Sequence, residues 1–185
     1  ALIAQAAKKL GWDAVHQRDF APAVKRLEQA ARLAPNDADA RQKLAEARRF
    51  AGQWPAVEAA AREFDNQVAQ KKPFTAYQTM LRIQSLQHEM PGGMGNPLSQ
   101  RVSQAASQAM AEYSAFWQEK TAVHSRSFIE QDWPTMLANA RQTLERELAP
   151  ESVNEARSRL AFAEGKLAEQ RAALDYAAQT RAALT

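Results

Sequence analysis

The chain has no cysteine. This excludes disulfides, cysteine-ligated zinc fingers and thiol catalysis, and is compatible with an oxidising compartment such as the bacterial periplasm. Glycine and proline are scarce, at 6 and 8 of 185 residues. No apolar run approaches the ~20 residues a membrane span requires, so no membrane insertion is expected within this segment. No stretch alternates apolar and polar residues over a strand's length, which argues against a sheet. Neither sign of charge dominates, with 24 Lys and Arg against 21 Asp and Glu, interspersed. Pairs such as Arg48-Arg49 and Lys71-Lys72 are too short for a nucleic-acid footprint, so no nucleic-acid partner is expected. The chain opens at Ala1 without Met or a signal-peptide pattern, as a mature product or an excised piece would.

Alanine is abundant, at 40 residues. Alanine loses no side-chain entropy in a helix, so this composition predicts an all-α protein. Helices are expected near 2–17, 20–33, 38–51, 54–70, 74–89, 98–130, 133–148, 152–164 and 166–183, with a break near Tyr113 to Trp117 in the longest. The segment Met90 to Pro97 holds three Gly and two Pro, so a mobile loop is expected there.

One phrase recurs. Asp19-Phe20-Ala21-Pro22-Ala23-Val24 returns as Gln53-Trp54-Pro55-Ala56-Val57 and as Asp132-Trp133-Pro134-Thr135-Met136. A polar residue able to cap, an aromatic and an early Pro together read as a helix start. Phe20 and Trp54 are 34 residues apart, as are Trp133 and Leu167 of Gly165-Lys166-Leu167. A constant period with a turn inside it means one helical hairpin per repeat.

Residues 4–37 resemble a tetratricopeptide repeat. Leu10 and Gly11 stand at its Leu-Gly step, Ala23 and Ala30 at its small positions, Leu27 at the large one and Pro35 at the close, with Ala7 and Ala14 where the family's aromatics would be. Residues 38–71 continue in phase through Leu44, Ala45, Gly52 and Trp54, while 117–150 and 151–184 keep the period and the turn but few positions. The resemblance implies helical-hairpin repeats in a right-handed superhelix, with two repeats in 1–71 and two degenerate hairpins in 117–185; residues 72–116 do not fit it and are expected to be adaptor helices carrying the 90–97 loop. Gly11 and Ala23 would let two backbones approach while Leu10, Phe20 and Leu27 fill the space around them.

Residues for chemistry are dispersed. His16, His88 and His124 lack ligand-spaced partners, and His88-Glu89 has no second His, so no metal is expected. Gly92-Gly93-Met94-Gly95 is not followed by Lys-Ser/Thr, so no phosphate loop or other cofactor site is implied. Glu145, Glu147 and Glu151 read as surface and capping residues, and no nucleophile elbow is present. Catalysis is not expected. By the resemblance, first-helix positions line a groove: Gln5, Lys8, Trp12 and His16, then Gln42, Lys43, Glu46, Arg49 and Phe50. A Trp beside Lys and Arg has the composition of a protein-interaction hot spot. The Lys and Asn clamp known for peptide carboxylates is not matched, because Trp12 and Lys43 stand at its Asn positions. The expectation is a scaffold that binds a polypeptide partner of acidic character. The alternative is a sensory or regulatory domain of a larger bacterial envelope or signalling protein.

Overall fold

The computed structural model describes residues 2–91 and 96–184, and every regular element among them is a helix. These are α1 (Leu2–His16), α2 (Phe20–Leu33), α3 (Ala38–Ala69), α4 (Pro73–Gln87), α5 (Pro97–Glu130), α6 (Trp133–Leu144) and α7 (Pro150–Ala183). No helix among the described residues is long and apolar enough to cross a membrane. The chain divides into two compact units, one of Ala1–Asn66 with Tyr77–Ala105, the other of Gln67–Ala76 with Ala106–Thr185.

In the first unit α1 and α2 form a hairpin packed on small residues. Ala4, Ala7, Gly11, Ala14 and Val15 make the buried stripe of α1 and face Phe20, Ala23, Leu27 and Ala30 of α2. A Cβ at Gly11 would stand 2.8 Å from Leu27 Cγ and 3.2 Å from the Ala23 carbonyl oxygen, so only Gly allows this approach. Leu10, expected to fill the seam, lies one residue off the stripe and is 50% exposed. Asp37 caps α3 by accepting from the Ala40 N–H at 3.0 Å. Arg48 pairs with Glu28 at 2.8 Å, Arg82 with Glu63 at 3.1 Å and Arg101 with Asp65 at 2.7 Å, linking α3 to α2, α4 and α5.

The predicted turn at Gln53-Trp54-Pro55 is absent. Residues 38–69 form one helix that contains Pro55. Ala40, Ala47, Phe50, Val57, Ala60, Ala61 and Phe64 are all buried, and this one-faced helical pattern runs unbroken through Gly52 and Pro55. Burying that stripe outweighs the backbone hydrogen bond Pro55 removes. The hairpin expected in 151–184 is likewise a single helix. A Cβ at Gly165 would meet nothing within 4 Å, so neither packing nor a positive φ bends the chain there. A lone helical Gly costs only about 1 kcal/mol relative to Ala, too little to break a helix by itself. Helix α5 also runs through Tyr113 to Trp117 without the expected break.

Three real corners share another signature. Arg18, Lys71 and Gln131 take φ of 64°, 56° and 56°. In each, the following N–H reaches the carbonyl five residues back: Asp19 to Ala14, Lys72 to Gln67 and Asp132 to Ser127. The left-handed residue itself bonds three back, at Val15, Val68 and Phe128. This is the Schellman closure of a helix C-terminus, followed at once by a new helix.

Of the expected Met90–Pro97 loop, Gly92 to Gly95 lie outside the described residues. Its described flanks are anchored. Met90 and Asn96 are buried, and Arg18 Nη1 donates to the Pro91 carbonyl at 2.7 Å. The Asn96 amide donates to Gln87 Oε1 at 2.7 Å, and Asn96 Oδ1 accepts from the Ser99 N–H at 3.1 Å to cap α5.

In the second unit, Tyr113 of α5 meets Phe74 edge-on at 4.7 Å, and its hydroxyl accepts from the Ala149 N–H. Glu147 accepts from the N–H groups of Phe74 and Thr75 at 2.9 and 3.2 Å, so a carboxylate from a distant loop caps α4. Asp132 caps α6 through the Thr135 N–H at 3.1 Å, with Pro134 in its first turn.

Candidate functional site

The N-cap of α3 brings the expected binding residues together. Asp37 is drawn into the cap by the Ala40 N–H and so faces α1, where Lys8 lies 2.8 Å from Asp37 and 2.9 Å from Asp39. Asp39 is in turn bonded to Lys43 one turn along α3. The hydrogen bond from Lys8 holds the Asp37 carboxyl below the usual carboxylate range, with help from Ala40. Lys43 does the same for Asp39, with Lys8 second.

Trp12 sits one helical turn beyond Lys8. Its ring is half-buried, with Lys43 Nζ 5.5 Å from the ring centroid and the His16 imidazole edge-on at 6.0 Å. The half-buried indole is thus in contact with both a cation and a second ring before any partner arrives.

The remaining expected residues fare differently. His16 is exposed and reaches the group only through Trp12. Glu46 accepts from Gln42 at 3.0 Å and makes an in-helix pair. Arg49 pairs with Glu89 at 2.8 Å and covers the Phe50 ring at 4.9 Å. Phe50 is 1% exposed, a correction to its expected place in the groove: it belongs to the buried stripe of α3. Lys8, Trp12, His16 and Lys43 therefore form one cluster, while Arg49 and Glu46 are engaged elsewhere.

The second unit carries a group that sequence reading missed. Phe128, Trp133 and Phe162 form a triangle of rings, with centroids 6.3, 6.0 and 5.8 Å apart. Phe128 is 51% and Phe162 39% exposed. Trp133 had a visible signal as a helix-start aromatic, but Phe128 and Phe162 lie on helices whose pairing no local pattern reveals.

No protein-family model matches the chain, and neither a curated protein nor a solved structure does.

Proposed function

We propose that this chain is a non-catalytic interaction scaffold, related in its first hairpin to tetratricopeptide repeats, that binds a partner polypeptide through the face carrying Trp12. The supporting observation is the half-buried indole in contact with Lys43 and His16. A rigid aromatic at the surface loses little conformational freedom on binding and can enter a pocket on a partner. Lys8 and Lys43 are already matched by Asp37 and Asp39, so the contact this face favours is apolar, with the ion pairs at its rim.

Trp12→Ala should weaken partner capture about thirtyfold, the loss of an anchor worth ~2 kcal/mol, while lowering stability by well under that amount. Trp54→Ala is the comparison, since Trp54 packs on Phe20 at 5.4 Å and donates to Glu58 at 3.0 Å. It should lower the melting temperature more and capture less. If Trp12→Ala melts many degrees lower with capture intact, Trp12 serves packing and the proposal fails.

A second reading, a sensory or regulatory domain of a larger envelope or signalling protein, is favoured by one feature: a cleft of about 410 Å³ in the second unit, lined by side chains of α5 and α7.

A further inference from the structure

We propose that the cleft between α5 and α7 binds an uncharged aromatic ring bearing a hydroxyl group, a phenol, with Phe128 and Phe162 against the ring and His124 bonded to the hydroxyl. The idea deepens the regulatory reading and is independent of the Trp12 face.

His124 and Phe128 of α5 and Glu155, Ser158, Arg159 and Phe162 of α7 line an open surface cleft of about 410 Å³, within the ~300–1,000 Å³ typical of small-molecule sites. Phe128 and Phe162 face each other at 5.8 Å with both rings substantially exposed. An entering ring would cover that surface and extend the cluster begun by Trp133, at the edge-on and offset spacings aromatic groups favour.

The polar end selects the ligand further. His124 Nδ1 is sealed from solvent and has no hydrogen-bond partner, leaving Nε2 as the nitrogen a ligand would meet. A hydroxyl both donates and accepts, so it can pair with either tautomer of the imidazole. The Ser158 hydroxyl lines the same cleft as a second polar group.

Charge decides against an ion. Arg159 is bonded to Glu155 and, at 3.2 Å, to the Thr121 hydroxyl, and its guanidinium covers the Trp117 ring at 5.0 Å. This closed pair leaves no net charge on the lining. Burial, aided by the Arg159 charge and opposed by Glu155, lowers the affinity of His124 for a proton, so it is neutral at pH 7. A carboxylate ligand would meet Glu155, and an ammonium would meet Arg159.

The test uses the full chain with 4-methylphenol, toluene and 4-methylbenzoate, followed by calorimetry and by the ¹⁵N resonances of the His124 ring. The expected result is saturable binding of 4-methylphenol, about tenfold tighter than the other two, which is the worth of one hydrogen bond. The His124 nitrogens should shift with 4-methylphenol alone. His124→Phe should reduce 4-methylphenol to the level of toluene, and Phe162→Ser should weaken all three. Trp12→Ala should leave this binding unchanged, so failure here is distinct from failure of the partner face. The comparison of ligands on the unaltered protein needs no variant to fold. Equal binding of 4-methylphenol and toluene, preference for the benzoate, or no saturation in the millimolar range would each overturn the proposal.

Discussion

At the scale of single residues, glycine divides sharply by surroundings. At Gly11 an added Cβ would strike Leu27, which is fully buried and has no room to retreat. Overpacking of this kind costs about 1–3 kcal/mol, partly offset by the ~1 kcal/mol helix preference of Ala over Gly. Gly11→Ala should therefore destabilise the protein, whereas Gly52→Ala and Gly165→Ala, both in open space, should stabilise it by up to ~1 kcal/mol. Urea titrations of the three variants decide it, and a stabilised Gly11→Ala would mean the α1–α2 approach is looser than described. His124 makes a pH-dependent contribution. Burial holds its imidazole below the ordinary 6.5, the Arg159 charge adds to this and Glu155 opposes it. The unfolded chain then takes up the proton first as pH falls. Stability from this group is present above about 6.5 and is lost as pH drops toward the lower folded value. The urea midpoint should fall between pH 7.5 and 5.5, and His124→Gln should flatten that slope. An unchanged slope in the variant would assign the effect to other groups.

At the scale of elements, the corners show why a repeated phrase misled in one place and not in two. Asp19 and Asp132 follow residues that have already taken the left-handed conformation, so the helix ends before the aromatic arrives. Gln53 follows Gly52, which stays helical, and Gln caps poorly. The unbroken apolar spacing from Ala40 through Phe50 and Val57 to Phe64 was legible in the sequence and outranked the local turn signal. The same holds for Ala156, Leu160, Ala163 and Leu167 around Gly165. The left-handed turns were not legible, because Arg, Lys and Gln occupy positions where Gly would announce them. They also make a prediction. A non-Gly residue in this conformation is strained by about 1–2 kcal/mol, some of which Gly returns as extra freedom in the unfolded chain. Lys71→Gly and Gln131→Gly, both at exposed sites, should each stabilise by about 0.5–1 kcal/mol. Arg18→Gly should gain less, because it gives up the bond to the Pro91 carbonyl. A loss of stability at both Lys71 and Gln131 would show that their side chains hold the corners in some other way.

At the scale of the whole molecule, the positions Lys8, Trp12, His16 and Lys43 were expected only through the tetratricopeptide-repeat resemblance, and the structure brings them together on α1 and the start of α3. The fate of their charges was not readable, because Asp37 and Asp39 enter only once the cap of α3 turns them toward α1. This changes how a partner should arrive. Each of the three cations expected to attract an acidic partner already lies within ion-pair distance of a carboxylate: Lys8 with Asp37 and Asp39, Lys43 with Asp39, and Arg49 with Glu89. At distances beyond the ~8 Å screening length of physiological salt, such pairs present dipoles rather than charges. The net charge of +3 is also modest for 185 residues. Electrostatic steering raises association rates roughly tenfold to a thousandfold and falls steeply with ionic strength. Association through the Trp12 face should instead change by less than about threefold between low and high salt, with Trp12→Ala acting on the dissociation rate. Stopped-flow measurement across that range checks both. A steep salt dependence that disappears in Lys8→Ala or Lys43→Ala would show that these lysines leave Asp37 and Asp39 to meet an acidic partner, and the face would then be ionic in character, not apolar.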